Sequence, residues 1–231
     1  MSFANVCQIA SPSGVIRGFG PKPLPSGPES LYSGRFSLRF DRSVIFSKTF
    51  LAAETNLRAV LFDYARRAGQ AFSARRGELI QAPGAAYSPL YLITEGAAQV
   101  YYVLPDGARQ TLRLGYPGEM LAALPGFFLG VSSALGVEAL RRCGGYALGR
   151  AAVTGFCESS PERAAAYARH LELITCGLMA RELDLLESDP VKRYRTVLAR
   201  SPRLFEHVPL RYIASYLRMT PETLSRVRRK S

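Results

Sequence analysis

The chain has 231 residues, of which 48% are hydrophobic and 21% charged, with a formal charge of +12; this excludes a disordered chain and leaves room for a sensing body plus a small second domain. The charge is unevenly placed. Residues 189–231 hold eleven Lys or Arg against three acids, residues 1–50 hold six against two, and residues 51–188 balance at thirteen each, so the basic C-terminal module predicts a polyanion partner unless it is only a solvated tail.

Residues 1–45 are rich in Pro, Gly and Ser, as in Gly20 to Pro28, and predict a loosely ordered arm. Gly14, Gly18, Gly20 and Pro21 break any apolar core there, so no secretion signal is expected. From Phe50 to Gln70, Leu57, Val60, Leu61 and Tyr64 share one helical face and predict a packing helix. Residues 46–158 as a whole are expected to form the sensor domain.

Between Phe72 and Phe156, short runs of Val, Leu and Tyr alternate with turn signals at Pro83-Gly84, Glu95-Gly96, Pro105-Asp106-Gly107, Pro117-Gly118 and Gly144-Gly145. That rhythm predicts an antiparallel β-roll or jelly-roll within an α+β protein. The clearest hairpin joins Ala98–Leu104 to Ala108–Leu114. Met120–Val137 carries no charge, long enough for a short membrane span. Pro125, Gly126, Gly130 and Gly136 interrupt it and Glu119 and Glu138 flank it, so a buried loop and short helix are expected instead, with no membrane partner.

Ser160-Pro161-Glu162 is a helix start, and the helix of segment 159–188 is expected to run to Glu187. Tyr167, Leu171, Ile174, Leu178 and Leu185 follow a four-three-four spacing interrupted at Arg181, the pattern of a dimer seam, with packing on the roll as the alternative. Ser188-Asp189-Pro190 marks the passage into the 189–231 module.

Residues 209–230 read as two short helices joined by Arg218-Met219, with Thr220 as N-cap and Pro221 at the first position of the second. Ile213, Ala214, Leu217, Met219, Leu224 and Val227 fall where the two helices must pack. The outer face then offers Thr220, Glu222, Thr223, Ser225, Arg226 and Arg229 to base edges and phosphates.

The order of roll, long helix and terminal helix-turn-helix, with the run Tyr212 to Arg226, resembles the Crp/Fnr family of transcription regulators over about 160 residues. The resemblance implies a sequence-specific homodimeric regulator of double-stranded DNA, with RNA polymerase a further candidate partner. It implies that Glu222, Thr223, Ser225 and Arg226 read bases, Glu222 accepting from cytosine and Arg226 donating to guanine. Phosphate contacts fall to Arg211, Arg218, Thr220, Arg228, Arg229 and Lys230. Two positions depart from the family pattern: Pro221 stands where relatives often have Arg, and Arg218 where they commonly have Gly.

Cyclic-nucleotide-binding relatives use a Gly-Glu pair followed about a dozen residues later by an Arg for the cyclic phosphate. Gly118-Glu119 matches the first part, but the Arg slot falls near Ser132 or Ser133. These four residues form the candidate effector pocket, and an effector other than a cyclic nucleotide, or none, is expected; a cyclic-nucleotide-responsive regulator is the alternative.

A metal-dependent roll enzyme lacks its imidazoles, since no histidine lies between Phe72 and Phe156, so no enzyme activity is expected. Cys7, Cys143, Cys157 and Cys176 show no CxxC spacing, and only His170 and His207 could join them, so neither a metal nor a cofactor is expected; free thiols suit a cytoplasmic location. A sugar-sensing regulator of the AraC type would need two helix-turn-helix units where this chain has room for one. A dimerisation or scaffold protein that binds no DNA is the remaining alternative.

Overall fold

The computed structural model describes the backbone of residues 48–230 and the side chains of 57–230; the arm expected over 1–45 lies outside the described residues. Helix α1 (Lys48–Ala68) leads into eight strands: β1 (Gln70–Ala74), β2 (Leu79–Gln81), β3 (Leu90–Glu95), β4 (Ala98–Val103), β5 (Arg109–Gly115), β6 (Met120–Leu121), β7 (Leu135–Ala139) and β8 (Cys143–Leu148). Helix α2 (Leu124–Leu129) interrupts them between β6 and β7. The strands form two antiparallel four-stranded sheets, ordered β1-β8-β3-β6 and β2-β7-β4-β5.

Side-chain alternation explains the roll. On β3, Tyr91 and Ile93 face Val100, Val137, Ala139 and Cys143 in the core between the sheets, whereas Leu92 points outward into a second cluster with Leu57, Leu61 and Ala65 of α1. With both faces covered, β3 is apolar almost throughout, so a simple alternation does not show in its sequence. The β4–β5 hairpin closes through Asp106, whose carboxylate accepts from the Ala108 N–H at 2.9 Å, and through Gly107 at φ +82°, a value that favours glycine.

The uncharged stretch 120–137 is β6, α2 and the start of β7, joined by a loop in which Ser132 donates to the Gly84 carbonyl and the Gly84 N–H donates to that of Ser133. Among the described residues no helix is long and apolar enough to cross a membrane.

After β8 come α3 (Arg150–Glu158) and the long α4 (Pro161–Leu186). The Ser160 hydroxyl caps α4 by accepting from the Arg163 N–H at 3.3 Å, with Pro161 at the first helical position. Asp189 likewise caps α5 (Pro190–Arg200), which is followed by α6 (Leu204–His207), α7 (Leu210–Tyr216) and α8 (Pro221–Arg229). These four helices share a core of Tyr194, Val197, Leu204, Ile213, Leu217, Leu224 and Val227, to which the roll contributes Ala97, Tyr116 and Leu140.

Candidate nucleic-acid interface

Helices α7 and α8 are the two predicted from Leu210 onward. Ile213, Ala214 and Leu217 of the first and Leu224 and Val227 of the second are all buried, as a crossed pair requires. The turn between them is a Schellman arrangement: the Met219 N–H donates to the Ala214 carbonyl and the Arg218 N–H to the Ser215 carbonyl, each at 3.0 Å. Arg218 therefore sits at φ +51°, the one described non-glycine residue in the left-handed region. A left-handed backbone costs an arginine more than the glycine common at this position.

The Thr220 hydroxyl accepts from the Thr223 N–H at 3.2 Å and so caps α8. Glu222, Ser225, Arg226 and Arg229, with Pro221, line one open concave surface, and Thr223 is half-buried beside them. The Glu222 carboxyl is held below its ordinary value, first by its own backbone N–H and then by the Thr220 hydroxyl, with Arg226 adding to both. It is thus an ionised acceptor at neutral pH. Arg211, Arg218, Arg228 and Lys230 are all exposed.

The first helix of the pair is docked on the roll. The Gln110 amide donates to the Ser215 carbonyl at 2.6 Å, the Thr111 N–H donates to the Ser215 hydroxyl at 3.0 Å, and Arg181 of α4 donates to the Tyr216 carbonyl at 3.3 Å. Further along, His207 stacks on Tyr116 with ring centroids 5.5 Å apart. These contacts hold α7 while the basic face of α8 stays in solvent.

We expect Arg218→Gly to shift stability and DNA affinity in opposite directions. Removing the positive-φ side chain should stabilise the terminal helices by up to about 1 kcal/mol, read as a higher urea midpoint. Loss of one cation per subunit should reduce the steepness of log K against log salt by about 0.9 per subunit, read by anisotropy of labelled duplex.

The long helix does not present its expected stripe to solvent alone. Tyr167 packs into the α1 and α3 cluster, Leu171 and Ile174 line a small cavity with Leu61 and Phe127, and Leu178 lines a roll cavity beside Val100 and Leu112. Within the single chain Tyr167, Leu171 and Ile174 are thus half-buried against the roll side, while Leu178 is 42% accessible. Leu185 is half-buried. One residue round the helix, Glu172, Thr175, Met179, Glu182 and Leu186 step by threes and fours on the exposed side, with Met179 57% and Leu186 73% accessible.

The Gly118-Glu119 pair lines neither of the described cavities that take Arg113. The Gly118 N–H and Glu119 carbonyl pair with Ile93 as β3 meets β6, and the Glu119 carboxylate is ion-paired to Arg58 of α1 at 2.9 Å. Ser133 is buried, its hydroxyl accepting from the Leu135 N–H. Among the described residues, none of Gly118, Glu119, Ser132 or Ser133 lines the cavities of about 450 and 250 Å³ between the roll and α4.

Sequence reasoning missed the charged residues that do line them, Arg113, Arg181, Glu182 and Arg200. Arg113 alternates with Leu112 and Leu114 along β5, which marks it as facing opposite to them but not what it meets. Among the described residues, no group of three or more His, Cys, Asp or Glu side chains could hold a metal ion.

A two-sheet roll, a helix laid across it and a terminal helix-turn-helix with an exposed basic face are the architecture that the Crp/Fnr resemblance implies. Residues 71–160 match the cyclic nucleotide-binding domain family. Solved structures share the wider arrangement: FixK2 from Bradyrhizobium japonicum is 24% identical, with 71% of this chain and 84% of that one covered at a TM-score of 0.59. A CooA mutant from Carboxydothermus hydrogenoformans is 13% identical, with 74% and 78% covered at 0.54. No curated protein matches the chain in sequence. The resemblance to Crp/Fnr regulators read from Tyr212 to Arg226 and from the order of domains thus holds at the level of the fold.

Proposed function

We propose that the chain is a homodimeric, sequence-specific DNA-binding transcription regulator whose roll answers to an effector other than a cyclic nucleotide, or to none. The observation that carries this is α8, capped by Thr220 and packed through Leu224 and Val227, with Glu222, Ser225, Arg226 and Arg229 on its solvent side. A helix so held can enter the major groove, about 12 Å wide. The exposed stripe from Glu172 to Leu186 is the surface offered to a second copy, and RNA polymerase is the further partner the family resemblance suggests. The activity is binding rather than catalysis.

Selection from a random duplex library, followed by anisotropy on the selected site, tests the reading. It predicts an imperfect inverted repeat with half-sites about one helical turn apart, ~34 Å, and affinity that falls as salt rises. Absence of all duplex affinity at low salt would favour a scaffold protein instead.

Two features support an effector that is not a cyclic nucleotide. No Lys or Arg lies between Met120 and Val137 to pair a cyclic phosphate, and Glu119 is engaged by Arg58. A missing charge-assisted pair costs about 1.5–3 kcal/mol. Calorimetric titration with cyclic AMP and cyclic GMP should show no low-micromolar binding, and such binding by either would refute this part.

A further inference from the structure

We propose that the cavity where the roll, α4 and the terminal helices meet binds a small organic carboxylate with an apolar body. The site stands on its own geometry; only its effect on DNA binding rests on the reading above. The cavity is about 250 Å³ and takes Arg113 and Leu121 from the roll, Ile174 from α4, and Arg200 and Tyr216 from α5 and α7.

Three guanidiniums converge on this junction. Arg113, Arg200 and Tyr216 line the cavity, and Arg181, on the wall of the neighbouring cavity that also takes Arg113, stacks 4.7 Å from the centroid of the Tyr216 ring. Only Arg200 has a carboxylate here, Asp184 at 2.7 Å. Among the described residues neither Arg113 nor Arg181 is ion-paired, and Arg181 Nε is buried with no hydrogen-bond partner. Burial pushes Arg113 below the ordinary arginine value, and Arg181 and Arg200 push it the same way while Tyr216 opposes them. A half-buried positive excess of this kind is relieved by an anion.

The walls narrow the class of anion. Leu114, Met120, Leu121, Leu124 and Ile174 make the rest of the lining largely apolar, so a phosphate would turn polar oxygens against hydrocarbon. A carboxylate matches the planar fork of a guanidinium and directs an alkyl or aryl body at those side chains. Because its wall includes residues of both the roll and the terminal helices, an occupant would couple the two.

The test is calorimetric titration of the full chain with phenylacetate and octanoate, against phenylacetamide, octanamide and inorganic phosphate. At least one carboxylate should bind saturably and about tenfold or more tighter than its amide, with Arg113→Gln losing about tenfold and Arg113→Lys less. No saturable binding of either carboxylate at millimolar concentration would overturn the proposal. So would equal binding of acid and amide, phosphate binding as tight as the carboxylates, or wild-type affinity in a folded Arg113→Gln. Should Arg113→Gln fail to fold, the acid-to-amide ratio in the wild-type chain decides. Duplex binding measured in parallel separates the two readings: a chain that binds duplex but no carboxylate loses only this inference, and one that binds carboxylate but no duplex loses only the DNA-binding reading.

Discussion

Asp184→Ala is expected to lower unfolding stability by about 3–5 kcal/mol, read as a fall in urea midpoint at unchanged m-value. Asp184 on α4 is 3% accessible and Arg200 on α5 is 15%, and their side chains meet at 2.7 Å. Truncating the acid leaves a nearly buried guanidinium without that carboxylate, in a neighbourhood that already holds Arg113 and Arg181. A buried ion pair contributes little over a well-packed apolar pair, but breaking it is expensive because one charge stays behind. The double replacement Asp184→Leu with Arg200→Met should therefore recover most of the loss. If the single and double variants were equally destabilised, the cost would lie in packing and not in the stranded charge. The loss is a large share of the ~5–15 kcal/mol typical of a domain, and it falls at the joint between the long helix and the terminal helices.

That joint marks where sequence reasoning runs out. Local chemistry was readable: Pro105-Asp106-Gly107 places the β4–β5 turn, Ser160-Pro161 starts α4, and Thr220-Pro221 starts α8. In each case a few adjacent residues determine a backbone conformation. Helices α5 and α6 were not anticipated, because the terminal module was read from its basic charge and its last two helices alone.

The seam stripe shows a different limit. A four-three-four spacing states that one helix face is apolar, but Tyr167, Leu171 and Ile174 meet α1 and α2, which no periodicity of α4 could name. Gly118-Glu119 is a two-residue motif, and its place at the β3–β6 pairing and its ion pair with Arg58 come from tertiary structure. The encounter of Arg113, Arg181 and Arg200 joins residues from β5, α4 and α5, and only the folded chain brings them together.

Arg226→Ala and Arg229→Ala are expected to weaken DNA binding in distinguishable ways, although both residues are exposed on α8 and line the same open surface. Glu222 precedes Arg226 by four residues and lies close enough to feel its charge, so the two share a helix face near the capped N-terminus, the end that approaches base edges in this docking mode. Arg229 is the last residue of the helix, one turn further from that end, where a side chain reaches the sugar-phosphate rail. Loss of Arg226 should relax preference at one base position per half-site at about 1–3 kcal/mol. Loss of Arg229 should instead weaken selected and random duplexes alike and reduce the salt slope by about 1 per subunit. Competition binding against a single-substitution panel of the selected site, at two salt concentrations, separates these outcomes. Identical specificity profiles for the two variants would mean that the helix docks in a register other than the one its cap and its Glu222–Arg226 pair suggest.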